Sequence, residues 1–147
     1  MTSLPRGFAS YVANIGIKDS SQDLTIVSAE SSASTAGVFT KSRFAGPSVE
    51  LSRAHVSDHR ARAIVVISKN ANVANGPTGM SDAREVVNGV ARAIGCDPED
   101  VLIASTGVIG RPYPMDKVRA GLAMLPHTFD EHDAVSVAQG IMTTDTI

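Results

Sequence analysis

The sequence predicts an α/β fold, with mixed sheets and covering helices, on three observations. Residues 64–67 (IVVI) form a continuous apolar run of strand length, the pattern of a strand covered on both faces. Residues 8–17, 24–29 and 36–39 are three short stretches of strand character separated by small polar loops. Val86, Val87, Val90, Ala91 and Ile94 recur at helical spacing, as do Met115, Val118, Leu122 and Leu125.

Taken in order, Pro5-Arg6-Gly7 is a turn, and FASYVANIGI is a strand interrupted at Gly16. KDSSQD is a hairpin-type loop, LTIVSA a second strand and ESSAST another loop. AGVF is a third strand, so the chain opens antiparallel. Residues 49–55 fit a strand or a short helix equally. The apolar strand 60–69 empties into NANVANGPTG, whose asparagines suit turns and secondarily a polar site. Ser81 is the expected N-cap of the next helix, with Asp82 just inside and Gly95 closing it. Residues 101–104 form a short buried strand that breaks at Ser105-Thr106-Gly107. A Pro-Tyr-Pro corner precedes an amphipathic helix with Pro114 near its first turn. Thr128 and Glu131 have capping-box spacing, with Val135, Ala138 and Met142 continuing on one face.

Composition excludes several function classes. A net charge of −2 with no block of basic residues argues against nucleic acid or an anionic membrane surface as partner. No stretch approaches the ~18 apolar residues of a membrane span, and no signal peptide opens the chain, so a cytoplasmic location is expected. Cys96 is the only cysteine, which rules out an intrachain disulfide and fits a reducing compartment. With no histidine near it in sequence, Cys96 reads as a small buried hydrophobe rather than a nucleophile. His55 and His59 are four apart, but HVSDH lacks the glutamate of a zinc helix and no third ligand accompanies it; no metal is expected. GVIG is neither a dinucleotide fingerprint, nor a P-loop, nor a basic RNA clamp, so no cofactor is expected.

Acyl chemistry remains. A tetrahedral oxyanion needs two preorganised donors aimed at one point, and a Thr106 hydroxyl with the Gly107 N–H could supply them. Spacing alone favours a structural turn here. Thr106 also has no sequence-evident base beside it, so any nucleophile must come from elsewhere.

Five motifs in order, AGVFT, NANVANGPTG, STGVIG, YPMDK and GIMTTDT, make the chain resemble the N-terminal (α) part of ornithine acetyltransferases, or glutamate N-acetyltransferases, of arginine biosynthesis. SRFAGPSVEL, KNANVA and LIASTGVIGRPYPM look closer to the paralogue of clavam antibiotic clusters. The resemblance implies a layered fold of intertwined α and β chains, assembled as an αβ heterodimer or a higher oligomer. It implies a precursor that cleaves itself before an internal threonine, which then carries acetyl from N-acetylornithine to glutamate without cofactor or metal. It assigns the oxyanion hole to Thr106 and Gly107, and a substrate contact to Thr143. In the family a basic segment follows TTDT and the nucleophile lies further on. Here Ile147 takes the first of those positions, so residues 1–147 are expected to be a single α-chain-like domain stopping short of the β chain and inactive alone. The other readings are a catalytically dead fragment or interaction remnant, and part of a β-aminopeptidase-like hydrolase.

Overall fold

The computed structural model describes residues 2–18 and 20–143. Its elements are β1 (Phe8–Ala13), β2 (Leu24–Ser34), α1 (Pro47–His55), β3 (Arg60–Asn70), α2 (Gly76–Ile94), β4 (Val101–Val108), α3 (Met115–Ala123) and α4 (Ala134–Ile141). The four strands form one mixed sheet in the order β1-β2-β3-β4. β1/β2 and β2/β3 are antiparallel, the first pair joined by a loop and the second by the connection that carries α1. β3/β4 is parallel, with α2 as the crossover that parallel strands require.

One face of the sheet is buried under α2. Leu24, Ile26, Val65 and Ile67 meet Val86, Val87 and Val90, and Val118 of α3 joins the same cluster. Each such side chain, removed from water, contributes about 1.5–3 kcal/mol, and all eight are buried to within 1%. The opposite face is covered at one end by α4. Gly140 makes this possible: a Cβ there would lie 2.2 Å from Thr25 Oγ1 and 2.7 Å from Val12 Cγ1. The continuous apolar run in β3 was expected to be covered on both faces, and here the structure differs. Ile64 is 45% exposed, because α4 reaches only the other end of the strand.

Helix α1 lies along the free edge of β4. The Ser52 hydroxyl donates to the Ile103 carbonyl and accepts from the Ile103 N–H, both at 2.7 Å. His55 Nδ1 contacts the Val101 carbonyl at 2.9 Å, and the Ser48 and Ser105 hydroxyls are 2.5 Å apart. Helix positions 48, 52 and 55 share one face, and they match strand positions 105, 103 and 101, so side chains stand where a fifth strand would pair.

Several local expectations are corrected. Residues 36–39 are not a strand; β2 instead runs through the expected loop to Ser34, where Ala33 and Ser34 pair with Ala61 and Arg60 after a register shift. Residues 49–55 are helical, started by Pro47 in the first turn. α2 begins at Gly76 rather than after Ser81, because Pro77 occupies the first-turn position that needs no N–H donor. β4 does not break at Ser105 but continues to Val108, held by pairing of 105–107 with 67–69. α4 is capped by Asp133, whose carboxylate accepts from the Val135 N–H at 2.9 Å, not by a Thr128–Glu131 box. Its inner side carries Ala134, Val137 and Gly140, while Val135 and Ala138 are exposed.

Candidate functional site

The parallel pair β3/β4 ends at a cleft of about 560 Å³. Ligands in sheets of this kind gather at the carboxyl ends of parallel strands, where main chain runs out of partners. Four segments build the cleft. β4 contributes Thr106, Gly107 and Val108, the tip of β3 contributes Lys69, and Arg111 follows the turn after β4. Ile17 and Lys18 come from the β1–β2 loop, and Thr143 lies just past α4.

Each segment is fixed locally. The Asp23 carboxylate accepts from the N–H groups of Ile15, Ile17 and Lys18 at 2.7, 2.7 and 3.2 Å, which folds the loop against the sheet. Asn70 Nδ2 donates to the Pro112 carbonyl at 3.0 Å and Asn75 Nδ2 to the Arg111 carbonyl at 2.8 Å. Asn72 accepts and donates within the same loop, to Gly79 among others. The asparagine-rich loop is thus a brace for the segment after β4, as turn chemistry suggested. Tyr113 is buried and its hydroxyl bonds Ser105, which in turn meets Ser48. Burial holds the phenol above its ordinary value, against the opposing pull of the Ser105 and Ser48 hydroxyls.

Gly107 is the tightest point. Its φ is +133°, and a Cβ would lie 2.3 Å from the Lys69 carbonyl carbon and 2.6 Å from Asn70 N. Because Ile103 turns both backbone groups outward to Ser52, strand alternation turns those of Gly107 to the same free edge. α1's last side-chain partner on that edge is Ser105, two residues earlier. Gly107 itself lines the cleft.

The three residues expected to form a site, Thr106, Gly107 and Thr143, line this one cleft together. The rest of the MTTDT motif, from residue 144 on, lies outside the described residues. Lys18, Lys69 and Arg111 were missed; the only hint was a lysine directly after an apolar strand in ISKN. Volume alone does not single the cleft out, since a groove beside α2 around Ser81, Arg84 and Asn88 measures about 590 Å³. Its contents do: three cations, two threonine hydroxyls and no acidic side chain among the described lining residues. Cys96 is half-buried, and burial followed by the Asp100 carboxylate pushes its thiol up, the opposite of an activated nucleophile. His55, His127 and His132 each contact a backbone carbonyl, and among the described residues no cluster of three His, Cys, Asp or Glu could hold a metal. Nor, among those residues, is any helix long and apolar enough to cross a membrane.

Comparison with known proteins agrees across sequence and structure. The ArgJ family model matches residues 9–147. "Arginine biosynthesis bifunctional protein ArgJ 2" of Nostoc sp. is 47% identical over 99% of this chain and 38% of its own length. "Glutamate N-acetyltransferase Oat2" of Streptomyces clavuligerus is 48% identical over 97% of this chain and 36% of its own. The chain thus spans a little over a third of the length of the curated relatives it matches. The solved ornithine acetyltransferase of Mycobacterium tuberculosis, complexed with ornithine, superposes with a TM-score of 0.91 at 32% identity, covering 99% of this chain and 81% of that one. ArgJ of Bacillus halodurans gives a TM-score of 0.86 at 27% identity, covering 97% of this chain and 75% of that one.

Proposed function

Because the chain belongs to the ArgJ family, we propose that it is the α-chain-like part of an acetyltransferase that moves acetyl from N-acetylornithine to glutamate, with Thr106 and Gly107 as its oxyanion hole. The observation that carries the reading is the convergence of Thr106, Gly107 and Thr143 on one cationic cleft at the end of β4. A threonine of the complementary β chain attacks the acetyl carbonyl. The carbonyl oxygen becomes an oxyanion and receives hydrogen bonds from the Thr106 hydroxyl and the Gly107 N–H. Collapse breaks the amide C–N bond, and the leaving ornithine amine takes up a proton. The glutamate amine then attacks the acetyl-threonine ester through the same oxyanion and regenerates the hydroxyl. Splitting the transfer through a covalent acyl-enzyme replaces one difficult step with two easier ones. Lys18 and Arg111 suit substrates that carry carboxylates, and Thr143 lines the same cleft as a candidate substrate contact.

The β chain would arise by autocatalytic cleavage of a longer precursor. The matched stretch is a little over a third of the curated relatives but four fifths of the solved M. tuberculosis chain, which supports a family polypeptide divided near its middle. Arginine biosynthesis is the role proposed, in the cytoplasm, where a lone half-buried cysteine stays reduced.

Two measurements test the proposal. The purified 147-residue chain should transfer no acetyl from N-acetylornithine to glutamate, and transfer by the chain alone would overturn the division of labour. In an enzyme assembled with the C-terminal part of a relative, Thr106→Ala should slow turnover ~10²-fold; an unchanged rate would remove Thr106 from the oxyanion hole.

A further inference from the structure

We propose that Lys69 is a positioning residue of this cleft: from a left-handed bulge at the tip of β3 it grips the Met142 carbonyl and so fixes Thr143 across from Thr106 and Gly107. Consecutive strand residues point to opposite faces. Ser68 and Lys69 nevertheless hold the same segment: the Ser68 hydroxyl donates to the Gly140 carbonyl at 2.6 Å, and Lys69 Nζ donates to the Met142 carbonyl. What breaks the alternation is the Lys69 backbone, at φ +74°, together with a register slip between Lys69 and Asn70 against β4. A bulge of this sort re-aims a side chain, and a non-glycine residue persists at positive φ only where its surroundings over-determine it.

Here the surroundings do. Gly107 sits opposite Lys69 in register, and the bulge occupies the space its Cβ would need. The glycine of the proposed oxyanion hole and the strained lysine are thus one fitted pair of backbones. On the other side, α4 is seated by Gly140 against Thr25 and Val12, and Ser68 takes the Gly140 carbonyl. Those contacts act within the helix. Lys69 acts beyond it, on the residue adjoining Thr143. A cation at a helix C-terminus also complements the unpaired carbonyls there. Among the described residues no carboxylate pairs with Lys69, and the residue lines the cleft.

The test has two arms, because what Thr143 contributes to substrate rests on the acetyltransferase reading while the grip itself does not. In the full ¹⁵N,¹³C-labelled chain, Lys69→Met should move the Met142 carbonyl ¹³C resonance upfield and speed Met142 amide exchange about tenfold, the loss of one charged hydrogen bond. Lys69→Arg should restore both signals, and Ser68→Ala should leave the Met142 carbonyl resonance in place. Unchanged Met142 signals in Lys69→Met overturn the proposal, whatever any activity assay shows. In the enzyme assembled with a relative's C-terminal part, Lys69→Met should raise KM for N-acetylornithine about tenfold with kcat within about threefold, with rescue by arginine. An unchanged KM in that active enzyme overturns the positioning role. An assembled enzyme inactive with Lys69 intact counts against the proposed function, and the carbonyl resonance then decides the grip.

Discussion

At the scale of single residues, Gly107 shows how backbone geometry and chemistry can demand the same side chain. Gly107→Ala should destabilise the fold by about 3 kcal/mol, combining overpacking with strain at positive φ, and urea unfolding of the chain would measure it. Its effect on turnover would therefore say little about the oxyanion; Thr106→Ala is the informative change. Tyr113 offers a cleaner structural test. Tyr113→Phe removes the hydroxyl that Ser105 bonds and should cost about 1–2 kcal/mol. Burial raises the Tyr113 phenol above its ordinary 10.0, so its neutral form contributes stability in full below that value, lost as pH climbs through the raised one. Alkaline melting curves should thus fall less steeply above pH 10.0 in Tyr113→Phe, and parallel curves would refute it. That Thr106 and Gly107 stand side by side was legible in the sequence because STG is contiguous, but spacing alone read them as a turn and their expected role rested on the family resemblance. Lys69 was not legible, since its reach follows from a bulge that depends on a glycine 38 positions away.

At the scale of elements, α1 against β4 is the most exposed to test. Ser52→Ala strips both Ile103 backbone groups of their partner in a buried place, and should cost about 2–4 kcal/mol, read from the urea midpoint. A loss below about 0.5 kcal/mol would mean water replaces the hydroxyl. α4 answers to pH. The Val135 N–H and then the Ser136 hydroxyl hold the Asp133 carboxyl below its ordinary 3.8. Its stabilisation is complete above 3.8 and disappears as pH falls through the lowered value. The ratio of α4 to α2 amide exchange rates, corrected for intrinsic exchange, should then rise as pH falls, and Asp133→Ala should leave that ratio independent of pH. Elements with an apolar face were readable from spacing: β1, the first half of β2, β3, α2 and α3. The second half of β2 carries Glu30, Ser31 and Ser32 exposed and buries nothing that would mark it. The start of α2 hid behind Asn75-Gly76-Pro77, where the same proline signals a turn or a first helical residue.

At the scale of the whole molecule, the sheet is fully covered on one face and partly on the other. Ile64, Val108 and Ile109 are 45%, 50% and 60% exposed, near the half-open face and the cleft. Joining the chain to a complementary part should bury such side chains at about 1.5–3 kcal/mol each; a rise in melting temperature with loss of dye binding would check it. The mixed α/β class was legible because a buried apolar strand and two amphipathic helices can pack in few ways. How the edges are finished was not, since it rests on single hydroxyls and an imidazole. Those edges carry one more consequence. β1 is closed by residue 131, whose carbonyl takes the Ser10 N–H at 2.7 Å, and β4 by α1 as far as Ser105. Both contacts shorten the main chain left open to strand addition, which guards against edge-to-edge aggregation. Past Ser105, where the contacts of α1 stop, β4 runs on only to Val108, whose carbonyl accepts from the Ala71 N–H at 2.9 Å. So short an open stretch offers a ligand one or two backbone groups but no strand to pair with.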